Sequence, residues 1–334
     1  MRAGRIKIST REFQVIDFPI PVPGSQQVRI KVKAAGVCLS DVHLLDSTLS
    51  PGYLEGDEVT MGHEVAGVIE SIGADVSDWK IGNRVIVCAG IRDAKGRVRT
   101  QGFDFDGGFA EFMVADVSTL VAIHDELSFE QACIIPDAVS TPWAAITQTA
   151  KVEQGQSAAV FGLGGLGIHA VQLLKIIGAS PIIAVDPLPL ARERALLVGA
   201  DLGLDPNDPE FSKKIRAATI GRGINCVFDF AGVAAVRIQA LPLLAEGGLL
   251  VIIGIANEAV VIPNDMAFVY KRNQILGHYG SEPHHTAELV ALLKEGKLDL
   301  SASISAIFSL EDAGLALQQL ENKTENPIRL ILKP

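Results

Sequence analysis

Between Val28 and Val114 the chain alternates apolar and polar positions in short runs, VRIKVKAAGV, HEVAGVIESIG, RVIVC and FAEFMVA, separated by Gly, Pro and Asp clusters. A period of two places one side of each run against a core, so this stretch predicts a mostly β domain. From Ala89 to Gly108 the periodicity lapses and charge accumulates, which predicts an exposed loop. Helical spacing starts near Ser128. Beyond it SAAVF, PIIAVD, CVFDFAG and GGLLVIIG are apolar throughout, as expected of strands covered on both faces, with helical stretches between them. Such alternation predicts a parallel, doubly wound sheet. After Ile275, helices are expected near residues 284–297 and 310–322, and a last strand at IRLILKP rejoins the first domain. The expected organisation is α/β, with one domain from residues 1–138 and 275–334 and a nucleotide-binding domain from 139–274.

The join between SAAVF and PIIAVD carries the sharpest local signal. Gly162, Gly164 and Gly167 fit G-x-G-x-x-G between a strand and a helix, with Gly165 and Leu166 completing the turn. The first glycine permits a tight turn, the second lets backbone approach a pyrophosphate, and the third packs helix on strand. A helix starting there aims unpaired N–H groups and its positive dipole end at phosphate. Asp186 stands at the end of the next strand, where a ribose hydroxyl would be bound, and its charge favours NAD over NADP. Arg192 lies nearby and keeps the NADP alternative open.

At 334 residues with 48% hydrophobic content the chain suffices for two cores. A net charge of −10 argues against nucleic acid and anionic membrane surfaces as partners. No apolar run approaches the ~18 residues of a membrane helix, and the first residues lack the apolar core of a secretion signal, so the expected location is the cytoplasm. Cys38, Cys88, Cys133 and Cys226 are widely spaced, as suits reduced thiols.

Metal-ligating types gather at GVCLSDVHLLD, with Cys38, Ser40, Asp41 and His43, and at GHE, with His63 and Glu64. They suit zinc, which takes thiolate, imidazole and carboxylate and keeps one position open in catalytic sites. Singly, Cys38 reads equally as a buried core thiol and His63 as a strand histidine.

In combination, GVCxSDxH, GHExxGxV, DGGFAEF, GLGGLG with Asp186, and IRLIL resemble, in order and over nearly the whole chain, the zinc-dependent alcohol dehydrogenases of the medium-chain dehydrogenase/reductase superfamily. The resemblance implies a GroES-like catalytic domain with a Rossmann domain, and a homodimer or homotetramer, for which GLLVIIGI offers an apolar edge strand. It implies that Cys38 and His63 bind a catalytic zinc with Glu64 behind it. ACIIPDAVSTPW resembles the secondary-alcohol branch, in which Asp137 is the third ligand; Cys133 is the rival, four residues earlier and before Pro136, which is expected to end the helix. Ser40 would contact the substrate oxygen, His43 would relay its proton, Asp41 would orient His63, Thr141 would pack on the nicotinamide and Arg329 would reach the pyrophosphate. The family's second, structural zinc needs four close cysteines and has no counterpart, so one zinc per chain is expected. The expected substrates are small alcohols or carbonyls, secondary or cyclic ones above all, with Phe103, Phe105 and Trp143 as candidates for an apolar pocket. The competing assignments are a metal-free quinone or enoyl reductase and a nucleotide-binding protein without turnover.

Overall fold

The computed structural model describes residues 1–93 and 95–334. The chain divides into two compact units, Met1–Ser140 with Gly280–Pro334, and Thr141–Tyr279.

The first unit is built on Gln27–Val37, an eleven-residue strand whose inward positions alternate and then, near its end, are buried on both faces. Glu64–Ile72 pairs antiparallel along it from Val28 to Gly36, while on its other side Phe112–Asp116 pairs with its first half and Arg329–Lys333 with its last residues. Antiparallel pairing sets the end of one strand beside the beginnings of its neighbours. The register Gly36 to Glu64 and Val37 to Leu330 therefore gathers Cys38, His63, Glu64 and Arg329 at one end of the sheet. Ile30, Val32, Val65, Ile69, Phe109 and Met113 fill the core beneath, and Leu317 and Leu320 of the helix Ala313–Glu321 close it.

Two expectations change here. Ala89–Gly108 is not simply an exposed loop: Gly90–Arg92 and Val98–Thr100 form a hairpin, and Gln101–Asp104 is buried. The burial is possible because Gly102 and Gly107 lie directly on the backbone of Gly62, while the Asp104 carboxylate accepts the Tyr53 and Thr100 N–H groups at 2.8 Å. Nor does Pro136 end its helix. The turn Phe129–Cys133, capped by Ser128, passes into a π-helical turn, Ile135–Val139, which absorbs the missing proline N–H. The Ser140 hydroxyl donates to the Pro136 carbonyl at 2.7 Å.

In the second unit six parallel strands, Ala158–Phe161, Ile182–Val185, Leu202–Leu204, Ile224–Asp229, Leu244–Ile252 and Gln274–Gly277, form one sheet in the order 3-2-1-4-5-6 counted along this unit. The first two are buried at every position, which explains their unbroken apolar sequence. Two further expectations shift. The GLLVIIGI strand is interior, flanked on both sides, and the open edges are Leu202–Leu204 and Gln274–Gly277. Because Gln274–Gly277 pairs in parallel with Leu249–Ile252, the second unit runs on to Tyr279 instead of ending at 274.

Candidate functional site

Cys38 caps the N-terminus of the helix Leu39–Leu45, and Asp41 in its first turn reaches back to accept the Cys38 N–H at 2.9 Å. The other oxygen of Asp41 faces His63 Nδ1 at 3.4 Å. One buried carboxylate thus caps the helix that starts at one ligand and faces the ring of the next, whose Nε2 lies 3.6 Å from Asp137 Oδ2. Asp137 is delivered by the π turn, and its Oδ2 lies 3.3 Å from Cys38 Sγ. The sulfur, imidazole nitrogen and carboxylate oxygen all lie within 4.8 Å of one another. Ligand atoms around a tetrahedral zinc stand about 3.5 Å apart, so the donor types and spacing of these three residues suit a shared zinc ion. Cys133 is buried elsewhere, its thiol donating to the Glu130 carbonyl at 3.3 Å.

The electrostatics point the same way. Burial, with Asp137 alongside, raises the Cys38 thiol pKa. Burial opposes charge on His63, but Asp41 and Asp137 outweigh it and hold the ring pKa well above its usual value. Without a metal the ligands therefore hold protons that a cation would displace. Behind them Glu64, fully buried, accepts the Ala138 N–H at 3.0 Å and stands 3.1 Å from Arg329 Nη2. Burial pushes the Glu64 carboxyl up to about 8 against the pull of that guanidinium. The pair is close but not aligned: Arg329 Nε and Nη2 and Glu64 Oε2 find no hydrogen-bond partner among the described residues. The Glu64–Arg329 approach and the Ala138 contact are invisible in the sequence, since strand register and the π turn join segments far apart along the chain.

Ser40 and His43 share one face of the Leu39–Leu45 helix, three residues apart. Ser40 Oγ lies 3.7 Å from Cys38 Sγ. His43 is half-buried, and burial lowers its pKa, so the ring is neutral at pH 7. Among the apolar candidates, Phe103 tilts against the His63 ring with centroids 5.4 Å apart. Phe105 lines a recess with Met1, Phe18 and Phe112 that contains no member of the metal group, and Trp143 is buried within the second unit.

In that second unit the glycine turn has three distinct environments. Gly162 has φ +86°, and a Cβ there would meet Ala231 N at 2.8 Å; one at Gly167 would meet Gly162 O at 1.8 Å; at Gly164 there is open space. The helix Gly167–Ile177 starts from the Leu166 cap, and buried His169 donates from Nδ1 to the Gly165 carbonyl at 2.5 Å. The Asp186 carboxylate accepts Leu163 N at 2.9 Å and Leu188 N at 2.8 Å, which fixes it beside the turn. Arg192 Nη1 is held by the carbonyls of Asp186 and Pro187, at 2.6 and 2.9 Å. Thr141 is buried, and its carbonyl accepts His278 Nε2 at 3.0 Å.

Residues 24–125 match the alcohol dehydrogenase GroES-like domain family and residues 165–295 the zinc-binding dehydrogenase family. The (R,R)-butanediol dehydrogenase of Bacillus subtilis is 31% identical over 317 residues, covering 89% of each chain. A crystal structure of 2R,3R-butanediol dehydrogenase from Bacillus subtilis superimposes with a TM-score of 0.90 at 26% identity, covering 100% of this chain and 99% of the other. A zinc-binding dehydrogenase from Sinorhizobium meliloti 1021 bound to NADP gives a TM-score of 0.90 at 25% identity over 100% and 99% of the two chains.

Proposed function

Because this chain belongs to the zinc-type medium-chain alcohol dehydrogenases, acting in alcohol oxidoreduction, we propose that it interconverts secondary or cyclic alcohols and their carbonyl counterparts with NAD at one catalytic zinc. The observation that carries this is the meeting of Cys38, His63 and Asp137, from three distant segments, within 4.8 Å. A metal-free quinone or enoyl reductase has no use for that convergence. Zinc held there would polarise the substrate oxygen and bring alcohol deprotonation toward neutral pH. Asp41 holds the His63 ring so that Nε2 is the ligating nitrogen. The Ser40 hydroxyl bonds the substrate oxygen and passes its proton to His43, whose neutral ring accepts it. Glu64 and Arg329 stand side by side behind the ligands. Phe103 contributes an apolar wall beside His63.

For the cofactor, the Gly162–Gly167 turn and the helix after it take the pyrophosphate, and Asp186 takes the ribose hydroxyls. By family resemblance Thr141 packs on the nicotinamide and Arg329 also reaches the pyrophosphate. Arg192, already held by two carbonyls, supports NAD over NADP. No helix among the described residues is long and apolar enough to cross a membrane. Val260, Val261, Met266, Val269 and Tyr270 are exposed in the segment that precedes the open Gln274–Gly277 strand, which supports a homodimer or homotetramer.

The direct test is NAD reduction with a panel of secondary alcohols, before and after exhaustive chelation. Activity should vanish on chelation and return with one zinc per chain by metal analysis; full activity after chelation would remove the proposal. A second measurement isolates the relay. Since burial lowers the His43 pKa, its proton-accepting form persists below pH 6.5, and the acid limb of the kcat/KM profile for alcohol oxidation should lie there. His43→Gln should lower activity by ~10²-fold or more and abolish that limb. An unchanged profile would deny His43 the role.

A further inference from the structure

Asp229 ends the fourth strand of the parallel sheet, beside the first strand, whose end carries Gly162. Its carboxylate is fully buried and faces Arg237, 3% exposed, with Nε donating to Oδ2 at 2.9 Å. Oδ1 accepts the N–H groups of Ala231 and Gly232, both at 3.0 Å. Arg237 Nη2 donates to the Gly254 carbonyl at 3.0 Å, and the Asp229 carbonyl accepts Ile253 N and Gly254 N at 3.0 and 2.8 Å. These loops touch backbone to backbone: a Cβ on Gly254 would meet Gly232 N at 2.3 Å, and one on Gly162 would meet Ala231 N at 2.8 Å. A single buried ion pair therefore ties together the loops at the carboxyl ends of the fourth and fifth strands, and Gly162 at the end of the first packs on the tied Ala231.

A buried ion pair adds little stability over apolar residues of the same shape, because desolvation offsets the attraction. Its placement suggests another use. In an open parallel sheet, ligands bind outside the carboxyl ends where the strand order reverses, here between the first and fourth strands. Asp186 lies on the second-strand side, so a dinucleotide with its pyrophosphate on the glycine turn extends its other half over residues 230–232 and 253–255. Resting on the dinucleotide reading above, we infer that Asp229 and Arg237 are positioning residues that shape the seat of the nicotinamide half of the cofactor.

Arg237→Ala would leave Asp229 buried without its partner and is expected to unfold the unit. Two gentler variants test the inference. Arg237→Lys shortens the reach to Gly254 while keeping the charge beside Asp229. The double variant Asp229→Asn with Arg237→Met removes both charges with the bond between them and the clamp on Gly254, while it retains an acceptor for the 231 and 232 N–H groups. With Tm confirming a folded protein, NADH affinity by fluorescence should fall ~10-fold or more, the worth of a hydrogen bond from a charged donor, while AMP affinity by competition stays unchanged. Equal loss for NADH and AMP, or wild-type NADH affinity in the folded double variant, would overturn the inference. Wild-type protein that binds neither NADH nor NADPH would instead remove the dinucleotide reading, and the inference with it.

Discussion

Asp137→Ala should strip the protein of zinc and lower kcat/KM by at least ~10³-fold, because Lewis-acid stabilisation worth several kcal/mol is lost with the metal and each 1.4 kcal/mol is a factor of ten. Cys133→Ser should leave zinc content and rates near wild type, costing at most stability at a buried position. The contrast decides between the two candidate ligands: metal retained in Asp137→Ala but lost in Cys133→Ser would reverse the assignment. The binding event also has a predictable pH dependence. The raised pKa values of Cys38 and His63 mean that both are protonated near neutral pH in the metal-free protein. Zinc must displace those protons, so its affinity falls as pH falls. Calorimetry in buffers of different ionisation enthalpy should register the released protons.

The second large effect lies in the glycine turn, where two substitutions of the same kind should behave differently. Gly164→Ala meets nothing within 4 Å and should leave Tm unchanged, yet its methyl stands where a pyrophosphate must approach the backbone. Losing one or two charge-assisted hydrogen bonds there weakens NADH binding by ~10- to 100-fold or more. Gly167→Val forces a Cβ to 1.8 Å from the Gly162 carbonyl. Backbone cannot yield as a side chain can, so the helix must move off the turn, lowering stability as overpacking does, by about 1–3 kcal/mol, with a fall in Tm, and abolishing measurable NADH binding. Equal NADH affinities for Gly164→Ala and wild type would place the pyrophosphate elsewhere.

These two sites differed in how far the sequence revealed them. The glycine turn was legible because its constraints are local: φ +86° at Gly162 and the contact of Gly167 with Gly162 act within six residues. The parallel sheet was legible for a related reason, since strands covered on both faces must be apolar at every position. The metal group is different. Cys38, His63 and Asp137 meet only because antiparallel register and a π turn bring them together, and resemblance to a family supplied that register where spacing alone left core thiol and strand histidine equally open. Gln101–Asp104 reads as exposed in sequence because polar composition does not reveal that the Asp104 carboxylate satisfies two backbone N–H groups on its way inside. GLLVIIGI is apolar enough for an edge or an interior strand, because strand order depends on crossovers that hydropathy does not encode.

Asp41 divides its carboxylate between the Cys38 amide and the His63 ring. Capping a helix contributes ~0.5–2 kcal/mol, and here the same group keeps an imidazole aimed, so coil-to-helix ordering of residues 39–45 and readiness for the ion are thermodynamically linked. By reciprocity, whatever frays this short segment slackens the grip on the cation, and an occupied site in turn protects the segment from fraying.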